Sequence, residues 1–194
     1  PQSTRQLLEQ VLPTLLSRFQ LDDDKDTVAA ASESIAEIAK LVGPTAVAET
    51  LGGLAEVAAQ LLQQQHPCQA AGLDGDEVGL DEDADHDEAL WEAVSELLTT
   101  LPKVVGAAWQ PHLGTLLPSL LPYLGSGHPA SDRSLAVGVL AESCHQLEAA
   151  AAPFCAQLLP IALRHSADDD ATCRQNATFC LGVLGHFCPA EVLG

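Results

Sequence analysis

One short pattern, two apolar residues followed by proline and a further apolar run, returns along the chain and fixes what it can fold into. It stands at Val11-Leu12-Pro13-Thr14-Leu15-Leu16, at Leu116-Leu117-Pro118-Ser119-Leu120-Leu121 and at Leu158-Leu159-Pro160-Ile161-Ala162-Leu163. The last two copies lie 42 residues apart. Each reads as the start of a first helix, followed by a polar turn and a second helix with a central alanine. Pro13 to Ala31 and Pro118 to Ala136 are both 18 residues, and Pro160 to Ala177 is 17. Such constancy means an internal repeat in which each helical hairpin buries its faces only by stacking on its neighbours.

A fourth second helix runs from Ala89 to Leu101 without a matching proline before it. Its centre, Ala93, is 62 residues from Ala31 but 43 from Ala136, so about 21 extra residues sit between the first two second helices. The segment from His66 to His86 is the part that cannot be helix core, and it reads as a loop insertion. The repeats are therefore about 5–42, 44–105 with the insertion 66–86, 109–147 and 150–187, in one domain over 1–194, with a further repeat starting at Pro189. A period near 42 is that of HEAT and armadillo arrays, so the fold class is all-α, an α-α superhelix of about four hairpins.

Local chemistry agrees. Val28, Ala31, Ile35 and Ile38, and again Leu90, Ala93, Val94, Leu97 and Leu101, follow helical spacing on one face. Hydrophobic residues make up 47% of the chain but aromatics 4%, a Leu, Ala and Val composition that favours helices over sheets. Glycines inside second helices, as in Gly138, Gly182 and Gly185, imply close helix approach. Asp168-Asp169-Asp170 suits a helix cap, and Asp132-Arg133 and Asp168 to Arg174 fit an Asp in the turn with an Arg opening the second helix.

Charge narrows the partners. Eight Lys and Arg against 27 Asp and Glu leave a formal charge of -19, which repels nucleic-acid phosphates and anionic membrane and attracts basic proteins. Apolar runs such as Leu113 to Leu124 are too short to span a bilayer. No secretion signal precedes the six cysteines, so reduced thiols in the cytosol or nucleus are expected. The absence of Met and the repeat opening at Pro189 suggest a piece of something longer.

The stretch Asp168-Asp169-Asp170-Ala171-Thr172-Cys173-Arg174-Gln175-Asn176-Ala177-Thr178-Phe179-Cys180-Leu181-Gly182-Val183-Leu184 resembles the second-helix pattern of the importin-β (karyopherin-β) nuclear transport receptors. The likeness covers all four repeats, and an acidic insertion inside one hairpin is a feature that family shares. It implies a receptor that shuttles between cytoplasm and nucleus, passes nuclear pore proteins and releases its cargo when Ran-GTP binds. It further implies basic cargo, histones and ribosomal proteins among them, and a binding protein rather than an enzyme. The alternative is a static HEAT scaffold of the phosphatase-regulatory kind.

Two groups of residues are candidates for holding such a partner. The first is the insertion, with Asp74, Asp76, Glu77, Asp81, Glu82, Asp83, Asp85 and Asp87, a block that self-repels until a cation arrives. Poor order in the absence of a partner is expected. The second is the face of the following helix, where Glu88, Glu92, Ser95, Glu96 and Thr99 lie opposite Leu90, Leu97 and Leu101, with Trp91 at the boundary to stack on Arg or Lys. Asp74, Asp76, Gly79 and Asp85 sit at EF-hand positions, but Val78 replaces a ligand and the bidentate Glu is missing, which argues against calcium. No C-x-x-C pair occurs among Cys68, Cys144, Cys155, Cys173, Cys180 and Cys188, so they read as metal-free packing residues, with no cofactor and no catalytic group. Asn176-Ala177-Thr178, formally a glycosylation sequon, lies inside a helix, where Asn176 is expected to bond to a neighbouring repeat.

Overall fold

The computed structural model describes the backbone of residues 2–70 and 80–193, and the side chains of these apart from 2–7, 80–86, 191 and 193. Ten α-helices follow along the described residues, with no strand among them: α1 Gln2–Leu21, α2 Lys25–Val42, α3 Leu51–Leu62, α4 Pro67–Ala70, α5 Leu80–Val105, α6 Gln110–Leu120, α7 Ala130–Leu147, α8 Ala152–His165, α9 Ala171–Phe187 and α10 Pro189–Leu193. The fold is all-α and HEAT-like. Packing divides the chain into two compact units, 1–100 and 101–194.

In the first unit, α1 and α2 form a tight hairpin. Asp24 caps α2, its carboxylate accepting from the Thr27 amide at 2.8 Å and the Thr27 hydroxyl at 2.7 Å, which satisfies one of the amides a helix start leaves open. Val28, Ala31, Ile35 and Ala39 are buried at helical spacing, and Ile38 is half-buried. Burying a side chain such as Ile35 contributes roughly 1.5–3 kcal/mol. Gly43, at φ 87°, ends the helix in the left-handed region that other residues resist. Second helices lie side by side in the same direction: Lys25 meets Asp87 at 2.9 Å, Ser32 donates to the Ala93 carbonyl at 3.1 Å, and Lys40 meets Glu96 at 2.7 Å.

The second unit repeats this plan with α6 to α9. Asp170 caps α9 through the Cys173 amide at 2.7 Å. Trp109, fully buried, donates its indole N–H to Ser143 Oγ at 3.1 Å, so the largest core side chain leaves no polar atom unmet. The stretch Ala130–His165 is apolar and long enough to cross a bilayer by composition alone. Glu148 at φ 50° breaks it, and a 3-10 turn over Glu148–Ala151 separates α7 from α8. All six cysteines are buried, on the packing positions their place in the repeats suggested.

The structure departs from the sequence expectations at three places. The repeated prolines do not start helices. Pro13, Pro118 and Pro160 lie inside α1, α6 and α8, all on the exposed side, where a helix tolerates the interruption best. The span expected as a loop from 66 to 86 is helical near both ends. His66 and Cys68 are buried, Pro67–Ala70 is helical, and residues 80–86 are the first turns of α5, so only 71–79 of that span lie outside the described residues. Leu80, Glu82 and Ala84 are good helix formers, and α5 continues backward over them where the charge run had suggested a loop. Finally, close approach explains Gly138 but not Gly182 or Gly185, beside which a Cβ would meet nothing within 4 Å.

Candidate functional site

The acidic face expected on α5 is present, but it is shared with α2. Glu88, Glu92 and Glu96 are exposed at spacing i, i+4, i+8, and Trp91 is half-buried beside them. Asp26, Glu33 and Glu37 are exposed on α2. With Asp87 these make seven exposed carboxylates on the paired helices, three of which meet Lys25 or Lys40. Lys40 bridges Glu37 and Glu96, 2.7 Å from each, and these bonds, that to Glu37 foremost, raise its pKa. Lys25 holds Asp87. Sequence spacing allows the Lys40–Glu37 pair, three residues apart, but not the partners on α5, which are 62 and 56 residues away. Ser95 is a correction: it is buried, 4% exposed, since the packed arc of α5 takes in Ser95 as well as Ala93, Val94, Leu97 and Leu98. Thr99 is half-buried. Asp81, Glu82, Asp83 and Asp85 lie on the helical backbone of α5, and Asp74, Asp76 and Glu77 lie outside the described residues, as do Val78 and Gly79.

At the foot of this unit a buried histidine fixes the chain that leads into residue 71. His66 Nε2–H donates to the Phe19 carbonyl at 3.0 Å, so Nδ1 is the acceptor and takes the Cys68 thiol at 3.1 Å. Burial lowers the His66 pKa and pushes the Cys68 thiol up to about 11, so the pair is neutral and the thiol is not a nucleophile.

The second unit carries a polar ladder between successive repeats. Arg133 on α7 grips Asp168, before α9, through Nε at 3.0 Å and an Nη at 2.8 Å, and reaches Asp169 at 3.0 Å. This fork-to-fork pairing with Arg133 holds the Asp168 carboxyl far below the usual carboxylate range. Asn176 donates to the Ser134 carbonyl at 2.9 Å, the inter-repeat bond its position in the helix suggested. His165 Nδ1 lies 3.1 Å from Asp168 and 3.6 Å from Cys173 Sγ, and its Nε2 faces an Arg164 N–H at 3.1 Å. Arginine only donates, so Nε2 accepts and Nδ1 carries the proton. Cys173 and Asp168 thus share one ring nitrogen, which rules out a nucleophile–base–carboxylate relay. His165, Asp168 and Cys173 are also the group of described residues whose ligand atoms all lie within 4.8 Å of one another.

No protein-family profile matches the chain. Curated relatives do. It is 33% identical over 189 residues to "Importin-4" of Mus musculus and 30% identical over 186 to "Importin-4" of Homo sapiens, covering 95% and 92% of this chain. The chain belongs to the importin-β family. A third relative, "Probable importin subunit beta-4" of Schizosaccharomyces pombe, is 23% identical over 69% of the chain. The chain spans 17% of the length of each of the first two relatives. The importin-β likeness read from Asp168 to Leu184 and across the four repeats is thus matched by relatives over nearly all of the sequence. In importin-β terms the structure adds what the motif could not: the Asp of the turn serves the arginine of the preceding repeat, since Arg133 takes Asp168 while Arg174 caps the carbonyls of Asp168 and Asp169 at 2.8 Å each.

Proposed function

We propose that this chain is a cargo-holding stretch of a nuclear import receptor, which takes basic proteins such as histones and ribosomal proteins and gives them up when Ran-GTP binds. One observation carries the reading: the exposed carboxylates of α2 and α5, with the acidic residues from Asp74 to Asp87 leading into them, in a chain akin to importins. Dispersed carboxylates steer a cationic segment and speed its arrival, and Trp91 at their edge offers a ring for an arginine or lysine. On this reading the receptor shuttles between cytoplasm and nucleus and meets nuclear pore proteins on the way. It performs no chemistry on its cargo.

The test uses the full-length protein. Basic cargo captured from cytosol should be lost on adding GTP-loaded Ran; cargo retained under those conditions identifies a static scaffold instead. Replacing Asp81, Glu82, Asp83, Asp85 and Asp87 with Ser and Asn should slow association with a histone-tail peptide at low salt. The difference should fade once the Debye length falls to about 8–10 Å, near physiological ionic strength. Association rates that match the parent protein at every salt concentration would reduce the segment to a linker.

A further inference from the structure

Three ligand types that the sequence scatters at spacings of three and five residues meet behind the α8–α9 turn. His165 is the last residue of α8, Asp168 stands in the turn and Cys173 is the third residue of α9. Their side chains are buried, His165 and Asp168 at 5% and 8% exposure and Cys173 fully. The two separations from Nδ1, 3.1 Å to Oδ2 and 3.6 Å to Sγ, are close to tetrahedral edges, and all three ligand atoms lie within 4.8 Å of one another. With zinc bonds of about 2.0–2.3 Å, neighbouring corners lie about 3.3–3.7 Å apart. A nitrogen, an oxygen and a sulfur donor together suit a borderline-soft ion and disfavour magnesium or calcium. The carboxylate is also held from behind, its Oδ1 accepting from the Asp170 amide at 3.0 Å.

We propose that His165 Nδ1, Asp168 Oδ2 and Cys173 Sγ form a site for a single divalent transition metal of the zinc class, with solvent completing the coordination. Binding replaces the thiol proton of Cys173 by the metal and releases that proton to solvent. The imidazole proton moves from Nδ1 to Nε2, and the exposed Arg164, which now donates to Nε2, turns away. Arg133 is the opposing charge, its Nε 3.0 Å from the ligand oxygen. The metal and Arg133 therefore compete for Asp168, so occupancy loosens the tie between α7 and the α8–α9 turn. Nothing in the spacing announces this, because no two of the ligands form a familiar pair.

The test titrates the metal-free 194-residue chain with Co2+ and then displaces it with Zn2+. One cobalt per chain should bind, with a thiolate-to-cobalt charge-transfer band, and X-ray absorption should count one sulfur in its shell. Cys173→Ser should abolish the band and weaken binding at least about tenfold, while Arg133→Gln, which removes the competing charge, should tighten it about tenfold. The sulfur count is read on the unaltered chain, so the test stands even if the serine variant misfolds. No band, more than one sulfur, or an undiminished band in a folded Cys173→Ser chain overturns the proposal.

Discussion

Two glycines in equivalent helices have opposite reasons to be there. A Cβ on Gly138 would come 3.1 Å from Asn176 Nδ2, the group that bonds the Ser134 carbonyl, whereas Gly182 faces open space. Gly182→Ala should therefore stabilise the chain by about 0.5–1 kcal/mol, the ordinary gain of alanine in an exposed helix interior. Gly138→Ala meets a neighbour that must shift or lose its bond, and should cost about 1 kcal/mol net. Urea unfolding of the two variants checks both, and a stabilised Gly138→Ala would show that Asn176 yields freely. The sequence made these positions look alike. Both are Gly in an apolar second helix, and what separates them is whether a neighbouring repeat covers the spot, which local pattern does not record.

Between elements, the tie from Arg133 to Asp168 has a definite pH signature. The pKa of Asp168 is depressed in the fold, so its contribution is complete above its unfolded value, about 3.9, and is lost only as pH falls through the lower folded value. Arg133→Gln should lower the urea midpoint at pH 7, and the deficit should persist to about pH 4 before shrinking in stronger acid. A deficit already gone at pH 5 would mean that the tie carries little. The Asp-then-Arg habit was legible, because charge and turn chemistry are local. Its partner assignment was not, since the arginine that binds Asp168 sits 35 residues upstream rather than in the same repeat. The same reason hid the extent of α5. A run of carboxylates reads as a loop by self-repulsion, yet residues 80–86 carry the helix on toward the sequence edge of the insertion.

At the scale of the whole chain, the 42-residue period was visible because apolar spacing and turns recur together, and it led to the all-α reading; the importin-β kinship rested on the resemblance of Asp168 to Leu184 and on the acidic insertion. The charge of -19 was equally plain, but its local balance was not: Lys25 and Lys40 neutralise part of the face where a basic partner is proposed to lie. Lys40 already occupies Glu37 and Glu96 with an ammonium of the kind a histone tail or ribosomal segment would bring. On the proposed reading, a cargo lysine arriving there would not add an ion pair but trade places with one, the displaced Lys40 going to water. Loading at this point would then be an exchange of like for like, and unloading would need little more than the resident lysine swinging back. Lys40→Gln should accordingly lengthen the dwell time of a basic peptide in stopped-flow dissociation more than it changes the arrival rate, and an unaltered dwell time would mean that the cargo never visits this pair.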